Sequence, residues 1–111
     1  LPLDAALAGR LGRQIRPRLE RKIASLEALS EDVNSSRTAS LCKSVLRIAS
    51  VPVIRDDARF VRDPTECFFE IVERFPDQIE NAEIILQGLF GYVPDRKSII
   101  MAARELINRI L

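Results

Sequence analysis

The sequence contains no histidine, and this absence excludes more chemistry than any other feature of its composition. Without an imidazole, the 111 residues can supply no Ser-His-Asp triad, no Cys-His nucleophile pair and no histidine-ligated zinc. Tryptophan is also absent and there is one tyrosine, so aromatic platforms for stacking single-stranded nucleic acid are scarce. We therefore expect no enzymatic activity, no cofactor and no metal site in this chain.

Cysteines and long apolar runs are scarce as well. Cys42 and Cys67 are too few for a disulfide framework, and we expect both to be reduced, buried residues of an intracellular protein. No apolar run approaches the roughly 20 residues that a membrane span needs, so no membrane partner is expected. With 47% apolar and 30% charged residues, the composition is typical of a folded, helix-rich domain.

The two ends of the chain indicate that it belongs to a larger protein. It begins at Leu1 without a methionine and ends on Ile110-Leu111, within an apolar helical stripe. We expect residues 1–111 to form a single all-helical domain that is a fragment of that protein.

Apolar residues recur at helical spacing along almost the whole chain, and no strand pattern is present. Prolines divide the pattern: Pro17 kinks the first helix or starts a new one, and Val51-Pro52 ends another near Ser50. Asp63-Pro64 starts a helix, with an N-cap acid and proline at the first helical position. The predicted helices cover residues 3–16, 18–29, 36–50, 54–62, 63–75, 78–90 and 95–111, with a polar linker at 30–36.

Two stretches of the chain share one order of elements, an amphipathic helix, a Val-Pro pair, charged residues and a further apolar helix. Pro52 and Pro94 are 42 positions apart, within the roughly 40–47 residue period of armadillo and HEAT repeats. Over residues 36–111, less than two full repeats, the chain resembles the armadillo family. The residues that carry this resemblance are Leu86-Gln87-Gly88-Leu89, Pro94-Asp95-Arg96-Lys97, Ile99-Ile100, Ala102-Ala103 and Leu106-Ile107.

The resemblance implies an all-α fold, a short armadillo/HEAT-like stack of about six helices that binds a protein or peptide in a groove. The groove would be lined by segments 36–50 and 78–91, and its candidate outward residues are Lys43, Arg47, Glu83 and Gln87. We expect Gly88 to let two helices pack closely.

The first 29 residues carry an excess of positive charge, six basic groups against three acidic ones, although the whole chain has a net charge of only +1. The basic residues are Arg10, Arg13, Arg16, Arg18, Arg21 and Lys22. They could contact an acidic partner helix, a tubulin-like surface or a phosphate backbone. Alternatively, they form a solvated helix face whose arginine stems cover apolar surface. A basic helix leading into such repeats resembles the C-terminal region of abnormal-spindle proteins, which implies a spindle-pole scaffold.

Acidic residues cluster at Glu31-Asp32, at Asp56-Asp57 and along Glu66, Glu70 and Glu73. Paired carboxylates can serve acid–base catalysis or hold a metal. Here no Gly-rich loop, asparagine partner or basic counterpart surrounds them, so we interpret them as a solvent-exposed outer face.

The sequence therefore predicts a non-enzymatic protein–protein interaction module, in a cytoplasmic or cytoskeletal scaffold. One alternative is a regulatory or oligomerisation domain of a larger enzyme, with the apolar stripe as a seam between copies of the chain. The other is a helical nucleic-acid-binding domain that uses the basic run at 10–22, although the low net charge makes nucleic acid the weaker candidate.

Overall fold

Helices make up all the regular structure in the computed structural model, which describes residues 2–28, 35–92 and 95–111. No strand occurs within these ranges, which confirms the all-α prediction. The helices are α1 (Ala5–Glu27), α2 (Ser35–Leu46), α3 (Ser50–Asp57), α4 (Pro64–Arg74), α5 (Ile79–Leu89) and α6 (Arg96–Ile110). Short 3-10 turns at Arg47–Ala49 and Pro76–Gln78 lead directly into α3 and α5. The described residues thus form five continuous helical segments.

Helix α1 is one uninterrupted helix of 23 residues, so the prediction of a new helix at Pro17 is wrong. Asp4 caps its N-terminus by accepting a hydrogen bond from the Leu7 N–H at 2.9 Å. Proline removes one helical hydrogen bond, but buried residues on both sides of it, such as Ala8 and Leu19, pack on the rest of the chain. Tertiary packing therefore stabilises α1 as a continuous helix despite Pro17.

The helix that was predicted to end near Ser50 instead continues to Asp57. The 3-10 turn at Arg47–Ala49 tightens the backbone, and Pro52 then falls in the first turn of α3, where a missing N–H is tolerated. Val51, Val53 and Ile54 are buried, so continuing the helix buries apolar surface that a loop would expose.

The short helix predicted over 54–62 is also wrong. Helix α3 ends at Asp57, and Ala58 takes a left-handed conformation with φ of 51°, donating its N–H to the Ile54 carbonyl at 3.0 Å. Ile54 and Val61 are buried as expected, but Ala58 is exposed. The turn at Ala58 directs the following residues away from the helix axis.

The start signals of α4 and α6 are confirmed. Asp63 accepts hydrogen bonds from the N–H groups of Thr65 and Glu66, and Pro64 occupies the first turn. Asp95 caps α6 in the same way, accepting from Lys97 and Ser98. Both carboxylates satisfy backbone donors that a helix N-terminus leaves unpaired.

Helix α2 lies at the centre of the fold, in contact with α1, α4, α5 and α6. Its buried residues, among them Leu41, Val45 and Leu46, belong to the main hydrophobic core. A smaller cluster, centred on Ala8, Val51 and Ile54, joins the first half of α1 to α3. The described residues extend 43 Å along the longest axis and 24 by 20 Å across it.

At Gly88, α5 packs closely against its neighbours, as the sequence predicts. A Cβ atom at this position would lie 2.7 Å from Cys42 Sγ and 3.2 Å from Ile99 Cδ1. Only a glycine leaves room for this contact between α5, α2 and α6.

Three sequence predictions fall partly or wholly on positions that are not described. Residues 30–34 of the predicted linker, the acidic pair Glu31-Asp32 and the Val93-Pro94 pair lie outside the described residues. Ser35 and Ser36, the end of that linker, already belong to α2. No helix within the described ranges has the length and apolarity that crossing a membrane requires.

Candidate functional site

The basic run of α1 does not form one surface, because its residues point to different neighbours. Arg16 lies against α6, donating to Asn108 Oδ1 at 3.2 Å and to the Ile107 carbonyl at 3.4 Å. Lys22 lies against α2, donating to Ser44 Oγ at 2.8 Å and to Ser40 Oγ at 3.4 Å. Two residues of the predicted partner-binding set therefore also hold helices together.

The other four cations of the run are exposed. Arg10 and Arg21 lie on the outer face of α1, while Arg13 borders a groove between α1, α3 and the end of α6. Arg18 is one helical turn before Lys22, so both lie on the same edge of α1.

The second predicted set, Lys43, Arg47, Glu83 and Gln87, is divided as well. Helices α2 and α5 do pack on each other. Lys43, Glu83 and Gln87 are exposed, but none of them borders the basic cleft described next. Arg47 alone joins the cations of α1.

A cleft of about 450 Å³ lies between α1, the junction of α2 with α3, and the segment 58–62. Four cations border it, and we call it the basic cleft: Arg18 and Lys22 from α1, Arg47 from the turn after α2, and Arg62 from the segment before α4. Ser44 and Ser50 contribute hydroxyl groups. No carboxylate is among the described residues that border it.

Two of the four cations of the basic cleft form hydrogen bonds to neutral partners. Lys22 donates to serine hydroxyls, and the Arg47 Nε donates to the Arg62 carbonyl at 3.4 Å. Among the described residues, none of the four cations forms an ion pair. The hydrogen bonds to neutral groups restrict Lys22 and Arg47 without neutralising their charge, so the cleft keeps a concentrated positive potential.

Phe60 and Val61 form an apolar wall beside these charges. Val61 is buried, whereas Phe60 remains 59% exposed. An aromatic ring beside a set of arginines is the combination that protein interfaces favour, because it offers apolar contact next to directional donors.

The carboxylates near α4 are arranged differently. Asp56, Asp57 and Glu70 pair with three arginines, and we call this set the ion-pair network: Asp56, Asp57, Glu70, Arg55, Arg59 and Arg74. Arg74 Nε lies 3.1 Å from Glu70 Oε2 and its NH2 group also contacts Asp57. The network ties the end of α3 and Arg59 to α4. The expectation that no basic counterpart surrounds these carboxylates is therefore wrong, and so is the prediction that Glu70 lies on a solvent-exposed outer face.

The pairing in the ion-pair network is reflected in carboxyl pKa values. The hydrogen bond from Arg59, reinforced by Arg74, lowers the pKa of Glu70 below its ordinary value. The hydrogen bond from Arg55 likewise lowers the pKa of Asp56. These carboxyls are ionised at neutral pH and act as structural partners of the arginines.

Both cysteines are buried free thiols, as the sequence predicts. Burial raises the pKa of the Cys42 thiol to about 12 and that of Cys67 to about 11. A thiol that stays protonated at neutral pH is a poor nucleophile and a poor metal ligand.

A larger groove of about 760 Å³ lies along the first half of α1, beside α3 and the end of α6. Its floor contains small residues such as Ala8 and Gly12. Arg13, Arg16 and Arg55 border it, and two of them lie near carboxylates: Arg16 is 3.9 Å from Glu20 and Arg55 is 2.9 Å from Asp56. The charges of this groove are thus mostly satisfied.

The sequence did not predict the other residues described above at the basic cleft, which are Ser44, Ser50, Phe60, Val61 and Arg62. The clearest available signal was Arg62 itself, a cation next to the Asp63-Pro64 helix start, where the backbone must leave any preceding helix. No cluster of three histidine, cysteine or carboxylate side chains suited to a metal is found among the described residues. Comparisons with protein-family models, with curated proteins and with solved structures gave no significant match.

Proposed function

We propose that this chain is a non-enzymatic protein–protein interaction module whose contact site is the basic cleft, and that its partner supplies an acidic segment. The observation that carries the proposal is the set of cations Arg18, Lys22, Arg47 and Arg62, which lie around one concave site without a carboxylate partner among the described residues. Like charges gathered in this way repel one another, and a bound anion relieves that repulsion.

A protein partner is favoured over nucleic acid by the shape and the surroundings of the cleft. A duplex presents a charge every 1.7 Å or so along its axis and is bound by an extended track of cations. The basic cleft instead is bounded by Phe60 and Val61, and the whole chain carries a net charge of only +1. A short extended segment with acidic and apolar residues matches this combination.

The non-enzymatic part of the proposal is supported by the side chains that could otherwise react. The two thiols are buried with raised pKa values, and the carboxylates of the ion-pair network are committed to arginines.

For the architecture, we propose two units of an armadillo/HEAT-like stack, α2–α4 and α5–α6. The support is the resemblance in residues 36–111 together with the packing of α2 on α5, the first helices of the two units. The resemblance of the basic α1 to abnormal-spindle proteins suggests an intracellular cytoskeletal scaffold as the setting.

The proposal is tested with a fluorescein-labelled 12-residue peptide of glutamate, serine and leucine, titrated with the chain at 50 and 200 mM NaCl. We expect saturable binding that weakens with salt. The variant Arg18→Glu/Arg47→Glu should bind at least about tenfold more weakly. Its matched control, Arg10→Glu/Arg21→Glu, has the same net charge but changes the outer face of α1, and should bind within about threefold of the unmodified chain.

Three outcomes would overturn the proposal. The first is no saturable binding of the peptide by the unmodified chain. The second is an equal loss in both double variants, which would mean nonspecific attraction. The third is tighter binding to a 12-base-pair DNA duplex than to the peptide, which would favour the nucleic-acid alternative. Circular dichroism of each variant checks that it is folded.

A further inference from the structure

The number of cations around the basic cleft exceeds what a single carboxylate can neutralise. A carboxylate carries one negative charge and two oxygens, which one arginine fork can saturate. A phosphate monoester carries about 1.5 to 2 negative charges near neutral pH and three acceptor oxygens. Three arginines and a lysine around about 450 Å³ therefore match a phosphate better than a carboxylate.

Two of the four cations also form hydrogen bonds within the chain before any ligand binds. Lys22 Nζ is anchored by Ser44 Oγ at 2.8 Å, and Arg47 Nε by the Arg62 carbonyl at 3.4 Å. The Arg47 bond uses Nε alone, so its two terminal nitrogens remain available for an anion. Side chains that are already ordered lose less conformational entropy on binding, which favours a compact, highly charged group at this place.

The apolar wall of the basic cleft indicates which kind of molecule carries the phosphate. Phe60 is 59% exposed directly beside the cations, so a ligand that fills the cleft also contacts an aromatic ring. A phosphorylated side chain flanked by an apolar residue satisfies both features. A membrane surface approaches a flat or convex face more readily than a bounded cleft, and a duplex needs cations spaced along its backbone.

We propose that the basic cleft is a phosphate-binding subsite that recognises phosphoserine or phosphothreonine next to an apolar residue in the partner protein. Arg18, Arg47 and Arg62 bind the phosphate oxygens, Lys22 adds a fourth positive charge, and Phe60 contacts the neighbouring apolar side chain. This inference rests on the proposed function, since it names the chemistry that the same site selects.

The test uses three nine-residue peptides that differ only at the central position: phosphoserine, glutamate or serine, each followed by leucine. Isothermal titration calorimetry at pH 7.5 should show the phosphoserine peptide binding at least about tenfold more tightly than the glutamate peptide, and the serine peptide more weakly than both. Inorganic phosphate should compete with the phosphoserine peptide, whereas acetate at the same ionic strength should not.

Variants that replace two cations by neutral glutamine test whether the preference for phosphoserine depends on the basic cleft. Lys22→Gln/Arg47→Gln should reduce the phosphoserine preference to about twofold or less. Arg10→Gln/Arg21→Gln, which removes the same charge from the outer face of α1, should keep it. Replacing the leucine by glycine in the phosphoserine peptide should weaken binding about threefold or more, through loss of the contact with Phe60.

The outcomes separate the two proposals. Equal affinity for the phosphoserine and glutamate peptides would overturn the phosphate inference and leave the acidic-partner proposal standing. No binding of either peptide would overturn both. Tighter binding to vesicles containing 20% phosphatidylserine, or to a 12-base-pair duplex, than to the phosphoserine peptide would overturn the assignment of a phosphorylated protein as the ligand.

Discussion

Arg59 and Arg62 lie three positions apart in the segment 58–62, yet they belong to regions with opposite charge balance. Arg59 pairs with Glu70 and Asp57 in the ion-pair network, where three arginines meet three carboxylates. Arg62 borders the basic cleft, where four cations lie together without a carboxylate partner among the described residues. One short segment thus connects a neutralised region to one that is not.

The difference indicates what each region contributes. Removing one partner of a charge pair within the chain costs little stability when the pair is exposed and more when it is shielded from water. Charges gathered without a partner oppose folding slightly, so they are explained better by a ligand than by stability. We therefore expect the ion-pair network to respond in measurements of unfolding and the basic cleft to respond in measurements of binding.

Among the proposed variants, Arg74→Ala should show the largest difference between its effect on stability and its effect on binding. Arg74 contacts Asp57 and Glu70, and the side chains of Arg74 and Glu70 are only 20% and 16% exposed. Removing it should lower the free energy of unfolding by about 1–2 kcal/mol. For a domain of this size, each kcal/mol lost lowers Tm by about 4–8 °C. Affinity for the phosphoserine peptide should stay within about twofold.

The matched control for this variant is Arg104→Ala. Arg104 pairs with Glu27, but these side chains are 52% and 44% exposed, so its loss should cost no more than about 0.5 kcal/mol. If the two variants lose equal stability, or if Arg74→Ala abolishes binding, the assignment of stability to one region and binding to the other is wrong.

The next largest expected effect is a pH dependence of binding affinity that arises from ionisation of the peptide's phosphate group. The second ionisation of a phosphate monoester lies near pH 6, whereas the chain has no histidine whose charge would change in that range. Affinity for the phosphoserine peptide should rise up to about tenfold from pH 5 to pH 7.5. The glutamate peptide, already ionised, should show almost no change, and an equal rise for both peptides would contradict the phosphate assignment.

A further pH effect belongs to the ion-pair network and occurs at lower pH. The pKa of Glu70 is lowered in the folded chain from an ordinary value of 4.5, chiefly by the hydrogen bond from Arg59. Its contribution to stability is therefore complete above pH 4.5 and is lost as the pH falls through the lower, folded-state pKa. Thermal unfolding from pH 6 to pH 2.5 should show a smaller fall in Tm for Glu70→Gln than for the unmodified chain. An unchanged fall would contradict this role of Glu70.

The smallest expected effect is that of Arg62→Gln on stability. The backbone carbonyl of Arg62, not its side chain, accepts the hydrogen bond from Arg47, so that contact remains. Because the substitution also removes one of four like charges, the free energy of unfolding should stay within about 0.5 kcal/mol of the original or rise slightly. A clear loss in urea unfolding would show that the cation has a structural partner.

Local signals predicted the helix starts well, whereas the continuation of helices depended on distant contacts. Asp63 and Asp95 cap their helices through backbone groups two or three residues away, so the sequence alone identifies them. The passage of α2 into α3 through Pro52 depends on burying Val51 and Ile54 beside α1, which no local rule contains. The same holds for Pro17 in α1.

The candidate site was predictable only in part, for the same reason. The sequence indicated the cations of α1 and Arg47 as candidates, but not which of them lie together in the folded chain. Packing separates Arg16, which contacts α6, from Arg18 and Lys22, which border the basic cleft. Arg62 joins them because α3 ends at Asp57 and the chain turns back, a consequence of the tertiary structure.

The most direct test of this account follows the backbone amide signals of the 15N-labelled chain while the phosphoserine peptide is added. We expect the largest saturable changes at Arg18, Lys22, Arg47 and residues 60–62, with the signals of α4 from Glu70 onward nearly unchanged. Changes centred instead on α5, or spread evenly over every exposed arginine, would contradict the assignment of the basic cleft as the binding site.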